Sequence, residues 1–107
     1  MERTQRTKVS IDYGTSKDFF AIRIVNDDMK NAHVQRGAIV IVHKQRYASD
    51  GEIVLVLYNG KLLLRYYKAS GDEIYLTAAN NDIMPFIVRK TDDFTILGKI
   101  CEVRFEF

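Results

Sequence analysis

Cysteine is almost missing from this chain. Cys101 is the only one in 107 residues, so neither a disulfide within the chain nor a cysteine metal cluster can form. Proline also occurs once, at Pro85, and no Pro- or Gly-rich linker, repeat or low-complexity tract interrupts the sequence. No apolar run approaches the roughly 18–20 residues that a membrane-spanning helix needs. The start, residues 1–8, is polar and is not followed by the apolar stretch of a secretory leader. An excess of one charge is lacking too. The net charge is +2. Arg3, Arg6 and Lys8 against Glu2 account for all of it, and the rest of the chain balances. A neutral body argues against a self-sufficient DNA-binding surface. These absences predict a soluble, cytoplasmic protein with no membrane segment.

What is present is a core. The chain is 47% apolar and 28% charged, enough to pack one globular domain of ordinary size. The polar segment 1–18 is expected to be only partly ordered, and residues 19–107 to form the domain. Phe19–Val25, Ala38–His43, Glu52–Tyr58, Lys61–Lys68, Glu73–Ala78, Phe86–Arg89 and Phe94–Phe107 are short, apolar and rich in β-branched and aromatic residues, and so read as strands. Asn59-Gly60 between two such runs predicts a two-residue type I′ hairpin, because both residues tolerate positive φ. Asn26–His33 has lower β propensity, and its acids suit the cap of a short helical turn. From Ile100 the last run alternates. Ile100, Glu102, Arg104 and Glu106 fall on one face and Cys101, Val103, Phe105 and Phe107 on the other. Gly98 inside this run suggests a bulge or bend. Strands at this spacing predict a mainly β fold, a distorted barrel or sandwich of short antiparallel strands.

Chemistry is harder to find. Asp27-Asp28 and Asp92-Asp93 are the densest acidic groups, but metal binding needs three or more converging oxygens, and no such spacing exists. Adjacent acids more often cap helices or decorate turns. His33 and His43 fall in no ligand motif, and Cys101 on an apolar strand face reads as a buried, inert thiol. Tyr66-Tyr67 beside Arg65 suits base stacking, yet strands are where aromatics pack anyway. No Gly-rich phosphate loop or Ser-His-Asp arrangement occurs. No metal or cofactor is expected.

The order of the pieces resembles the C-terminal domain shared by LexA, the lambdoid phage repressors and UmuD, the family of self-cleaving Ser-Lys proteins. Phe20–Ile24 with Asp27 and Met29 resembles the strand entering the family's Gly-Asp-Ser-Met nucleophile turn. Gly37–Val42 matches its Gly-Asp-x-Val-x-Val strand, and Asp50–Val54 with the Asn59-Gly60 hairpin the next pair. Leu64-Arg65-Tyr66 lies where the family has Lys-Arg-(Tyr/Leu). Asn80, Pro85 and Ile87 resemble its Asn-Pro-x-x-x-Pro-Ile segment, and Ile96–Ile100 its closing Ile-x-Gly-x-Val strand.

The departures from that pattern fall on the chemistry. The resemblance puts the nucleophilic serine at Asp28 and the lysine base at Leu64. Asn26 replaces the glycine of the turn, and Ala38 an acid. A desolvated neutral lysine activates the hydroxyl in such a dyad. Leucine has no proton to exchange, and Arg65, one residue on, stays protonated. The Ala-Gly or Cys-Gly bond that self-processing relatives cut is also missing ahead of Asp28. The resemblance therefore implies a non-catalytic dimerisation or regulatory domain of a bacterial or prophage transcriptional regulator, of the kind involved in the SOS response. The alternative is a self- or trans-cleaving peptidase using other residues or inactivated by substitution, and a third reading is a small module binding single-stranded nucleic acid. A homodimer is expected through Ile100, Cys101, Glu102, Val103, Arg104, Phe105, Glu106 and Phe107, with an open strand edge there, and a repressor or other regulatory protein is a further expected partner. Residues 1–18 leave no room for a helix-turn-helix domain, so direct DNA binding by this chain is not expected. Asp28 should stand near Leu64, and either face solvent or accept backbone N–H groups, since an unpaired carboxylate against leucine is costly to bury.

Overall fold

The computed structural model describes residues 17–105. Most of the expected polar segment, and Glu106 and Phe107 of the expected dimer strand, lie outside the described residues. Among the described residues seven strands form: β1 Phe19–Arg23, β2 Ile39–Lys44, β3 Ile53–Tyr58, β4 Lys61–Ser70, β5 Glu73–Thr77, β6 Phe86–Val88 and β7 Phe94–Arg104. Their pairings are all antiparallel, and the order across the sheet is β1-β2-β7-β3-β4-β5-β6. The sheet of these strands does not close, since β1 and β6 stand at its two ends.

Alternation sorts the apolar residues into two cores. Val40, Val42, Leu55 and Leu64 join Ile24, Met29, Val34 and Ala38 in the first, which the 24–38 connection covers. Val54, Val56, Leu76 and Ile96 form the second, flanked by Tyr67, Phe86 and Phe94. β2 reads as an uninterrupted apolar run because Ile39, Val40, Ile41 and Val42 are all buried, as an interior strand covered on both faces requires. The hairpin between β3 and β4 has Asn59 at φ 48° and Gly60 at φ 83°, the backbone its dipeptide predicts. Its tip is tied down, because Asn59 N donates to Asp93 O at 2.8 Å and Asp93 N to Asn59 Oδ1 at 2.9 Å.

Two local expectations need correction. The turn after β1 contains a 3-10 segment, Lys30–Ala32, but no acidic side chain caps it. β7 is an interior strand in the order of the sheet. It is inserted between β2 and β3, pairing with β3 from Phe94 to Lys99 and with β2 from Gly98 to Arg104. Beyond Lys99 its only partner among the described strands is β2. Its alternation also breaks. Ile41 pairs with Glu102 and Val42 with Ile100, so Cys101 is the extra residue of a bulge. Ile100 and Val103 consequently pack on the same core, and Cys101 is exposed rather than buried. A second bulge at Leu97 lies against β3, next to Gly98, where the sequence suggests one.

Candidate functional site

The segment that leaves β1 is fixed before it reaches its acids. Ile24 bonds across the loop to both Gly37 and Ala38, donating from N to Ala38 O and accepting at O from Gly37 N, both at 2.8 Å. Asn26 Oδ1 accepts from Asp28 N at 3.1 Å, forming an Asx turn. Met29 is almost wholly buried, and its sulfur accepts from Ala79 N at 3.2 Å. From the other side, Asn80 Nδ2 donates to Asp27 O at 2.9 Å and Asn31 N to Ala79 O at 2.8 Å. The Asn80 loop thus clamps the Asp27–Met29 turn. Asp27 itself points outward to an exposed pair with Arg36 at 3.4 Å, which contributes little in open solvent.

Asp28 finds a partner that composition and spacing do not reveal. Its Oδ2 accepts from Arg65 Nη1 at 3.1 Å, and the same nitrogen donates to Leu64 O at 2.8 Å. The carboxylate is therefore half-buried against a guanidinium, not turned to solvent or held by backbone N–H groups. Asp28 does stand beside Leu64, as expected, through this shared nitrogen. The Leu64 side chain packs into the first core. Arg65 sits opposite Val54 of the second core, and the β4–β5 ladder begins only at Tyr66, so the edge of β4 beside Asp28 is clear of β5. Only 7% of the Arg65 side chain is exposed, against 23% for Asp28. Arg65 Nε is buried with no acceptor. One carboxylate and one carbonyl are all that the guanidinium has.

The other residues singled out above are dispersed. His43 bonds Gln45 and stacks edge-on against Phe19, and His33 takes a left-handed conformation at φ 62° after the 3-10 turn. Tyr66 packs on the first core and Tyr67 on the second, so they do not form one stacking platform. Among the described residues no group of three or more His, Cys, Asp or Glu converges as a metal site, and no helix is long and apolar enough to cross a membrane.

Two carboxylates away from this cleft are held in the charged form. Asp92 accepts from Tyr58 Oη at 2.7 Å and Arg89 N at 2.8 Å, bonds that keep its pKa below the usual 3.8. Glu52 is lowered from 4.5, chiefly by the N–H of Ser49 and then by Lys99 Nζ at 2.9 Å. A carboxylate whose folded pKa is depressed stabilises the fold above its unfolded pKa, and that contribution disappears as pH falls through the folded value. Unfolding free energy should hence decline as pH drops below about 4.5, the upper of these reference values. Tyr58→Phe should shallow the decline, measured by urea titration across the acid range. An unchanged slope would remove Asp92 from the account.

In sequence the chain matches a known family. The peptidase S24-like family model matches residues 2–101. The chain belongs to that family. Its relatives include LexA repressors. That of Desulfatibacillum aliphaticivorans is 33% identical over 85 residues, covering 78% of this chain and 42% of the relative. The Petrotoga mobilis LexA repressor is 34% identical over 85 residues, covering 78% and 41%. LexA repressor 2 of Pseudomonas syringae pv. tomato is 32% identical over 82 residues, covering 77% and 41%. This S24-like chain thus spans about two fifths of the length of the curated relatives it matches, and it is LexA-like in sequence and in its antiparallel β architecture.

Proposed function

We propose that this S24-like chain is a non-catalytic regulatory domain of a LexA- or phage-repressor-like transcriptional regulator, acting in the cytoplasm by assembly rather than by peptide cleavage. The observation that carries the reading is the Asp28–Arg65 pair. At the position of the family nucleophile is a carboxylate engaged by a guanidinium, and at that of the base is a leucine side chain packed in a core. A hydroxyl and a neutral amine are what acyl transfer by such a dyad requires, and a guanidinium that stays protonated replaces neither. Incubated alone or with a LexA-derived cleavage-site peptide at alkaline pH, the chain is expected to leave every bond intact. Cleavage by the unmodified chain would overturn the reading in favour of a peptidase using other residues.

Assembly as a homodimer through the end of β7 is the second part of the proposal. Phe105 and Cys101 are exposed there, and a strand end of this kind suits pairing across a two-fold axis. In a repressor such a dimer sets two DNA-reading domains at half-site spacing, so contact with DNA belongs outside this chain. Deleting residues from Ile100 onward would strip Ile39–Val42 of their partners in β7, so a point substitution is the better probe. Phe105→Asp should weaken dimerisation by about tenfold or more in sedimentation equilibrium, equivalent to about 1.4 kcal/mol. A monomer at every concentration of the unmodified chain would remove the assembly proposal.

A further inference from the structure

A groove of about 530 Å³ lies between the loop after β2 and the start of β7, floored by Tyr67, Ile74 and Ile96 and walled by Arg46, Tyr47 and Phe94. On the other side of Arg46 it meets a second hollow of about 480 Å³, bordered by Lys44 and Gln45. Among the described residues no carboxylate lines either. Lys44 and Arg46 are exposed and join none of the ion pairs among the described residues. Lys99, close enough to Tyr47 to interact with it, is already committed to Glu52. Tyr47 is 71% exposed although its loop is braced, with Gln45 Nε2 donating to Tyr47 O at 2.8 Å and Gln45 Oε1 bonded to His43 Nδ1 at 2.9 Å. A braced loop thus holds an exposed tyrosine beside two cations that join none of the described ion pairs.

The backbone here points the same way. β7 pairs with β3 from Phe94 onward, but with β2 only from Gly98. On the β2 side, the Phe94–Leu97 stretch has no strand partner among the described residues, and only Gln45 N reaches it, donating to Leu97 O at 3.3 Å. An extended segment laid in line with β2 would find main-chain partners on that edge and alternate side-chain pockets in the groove.

We propose that this groove binds an extended acidic peptide of a partner protein, its carboxylates toward Lys44 and Arg46 and its apolar or aromatic side chains on Tyr47, Tyr67 and Phe94. The groove floor belongs to the second core, whereas Met29 and Leu64 belong to the first. The adjoining hollow touches the first core through Phe20 and Leu97, but Asp28, Leu64 and Arg65 are not among its described lining residues. Nucleic acid fits less well. Affinity for a phosphate backbone grows with the number of phosphates neutralised, and two cations on an otherwise neutral body supply few.

The test is an amide chemical-shift titration of the 107-residue chain with a capped Glu-Tyr-Asp-Phe-Glu peptide, its Lys-Tyr-Lys-Phe-Lys counterpart and an oligo-dT strand. The acidic peptide is expected to give saturable shifts centred on residues 44–48, Tyr67 and 94–96, and the basic one none. Lys44→Ala with Arg46→Ala should raise Kd about tenfold or more, while Lys61→Ala leaves it unchanged, both variants keeping the native spectrum elsewhere. Absence of saturable shifts, equal binding of both peptides, shifts centred elsewhere, or tighter binding of oligo-dT would each overturn the proposal.

Discussion

Gly98→Ala is expected to destabilise the domain by about 3 kcal/mol, at the top of the range for forcing atoms into a packed core. A Cβ at this position would overlap the carbonyl oxygen of His43, and would lie 2.6 Å from Val42 Cγ1 and 3.0 Å from the His43 carbonyl carbon. Two of those three atoms are backbone. β2 cannot move aside without loosening the Lys44–Gly98 and His43–Lys99 pairs, which join β7 to the β1-β2 end of the sheet. For a domain this size such a loss should lower the midpoint of thermal unfolding by more than about 10 °C. A loss under about 1 kcal/mol would show that the two strands separate far more readily than their register implies.

Asp28→Ala should have the second largest effect, about 2 kcal/mol of unfolding free energy. Breaking a fully buried ion pair typically costs about 3–5 kcal/mol, because the surviving charge is left uncompensated. Asp28 keeps 23% of its side chain in solvent, which reduces that figure. Arg65 has no comparable outlet. Its Nε is already unsatisfied, and without Asp28 only Leu64 O remains as an acceptor. Arg65→Met in the Asp28→Ala background removes the stranded cation, and should recover part of the loss. A double-mutant cycle is expected to give a coupling above about 1 kcal/mol. Strictly additive effects would mean that the 3.1 Å contact contributes nothing in solution.

The parts of the fold visible in the sequence were those set by neighbours along the chain. Asn59-Gly60 dictates its own turn, and the run from Ala38 to Val42 is short and β-branched enough to mark a strand. The bulge at Leu97 could be anticipated because Gly98 stands beside it. The extra residue at Cys101 could not, since its flanks alternate cleanly and only the pairing with Ile41 and Val42 forces it out. The place of β7 inside the sheet was hidden for the same reason, because alternation says which face is apolar and nothing about which strands are neighbours. At the cleft, the order of motifs put Asp28 beside Leu64 correctly. Arg65 is not revealed by the motif order as a partner of Asp28, because a guanidinium fits neither role of the dyad. Its one legible signal was a lone cation in the apolar run Leu62–Tyr67, where burial of a charge demands a counter-charge.

The insertion of β7 also constrains how the domain is built. β3, β4, β5 and β6 are joined in the order in which they occur along the chain, so their contacts can form locally and early. β2 and β3 are consecutive as well, yet the sheet holds them apart by one strand, and the strand between them is drawn from some forty residues further on. Until Gly98–Arg104 arrives, β1 and β2 form a separate ribbon whose inner edge has no mate. During synthesis that edge would be the longest-lived exposed surface of the nascent domain, and the step that removes it is the arrival of β7.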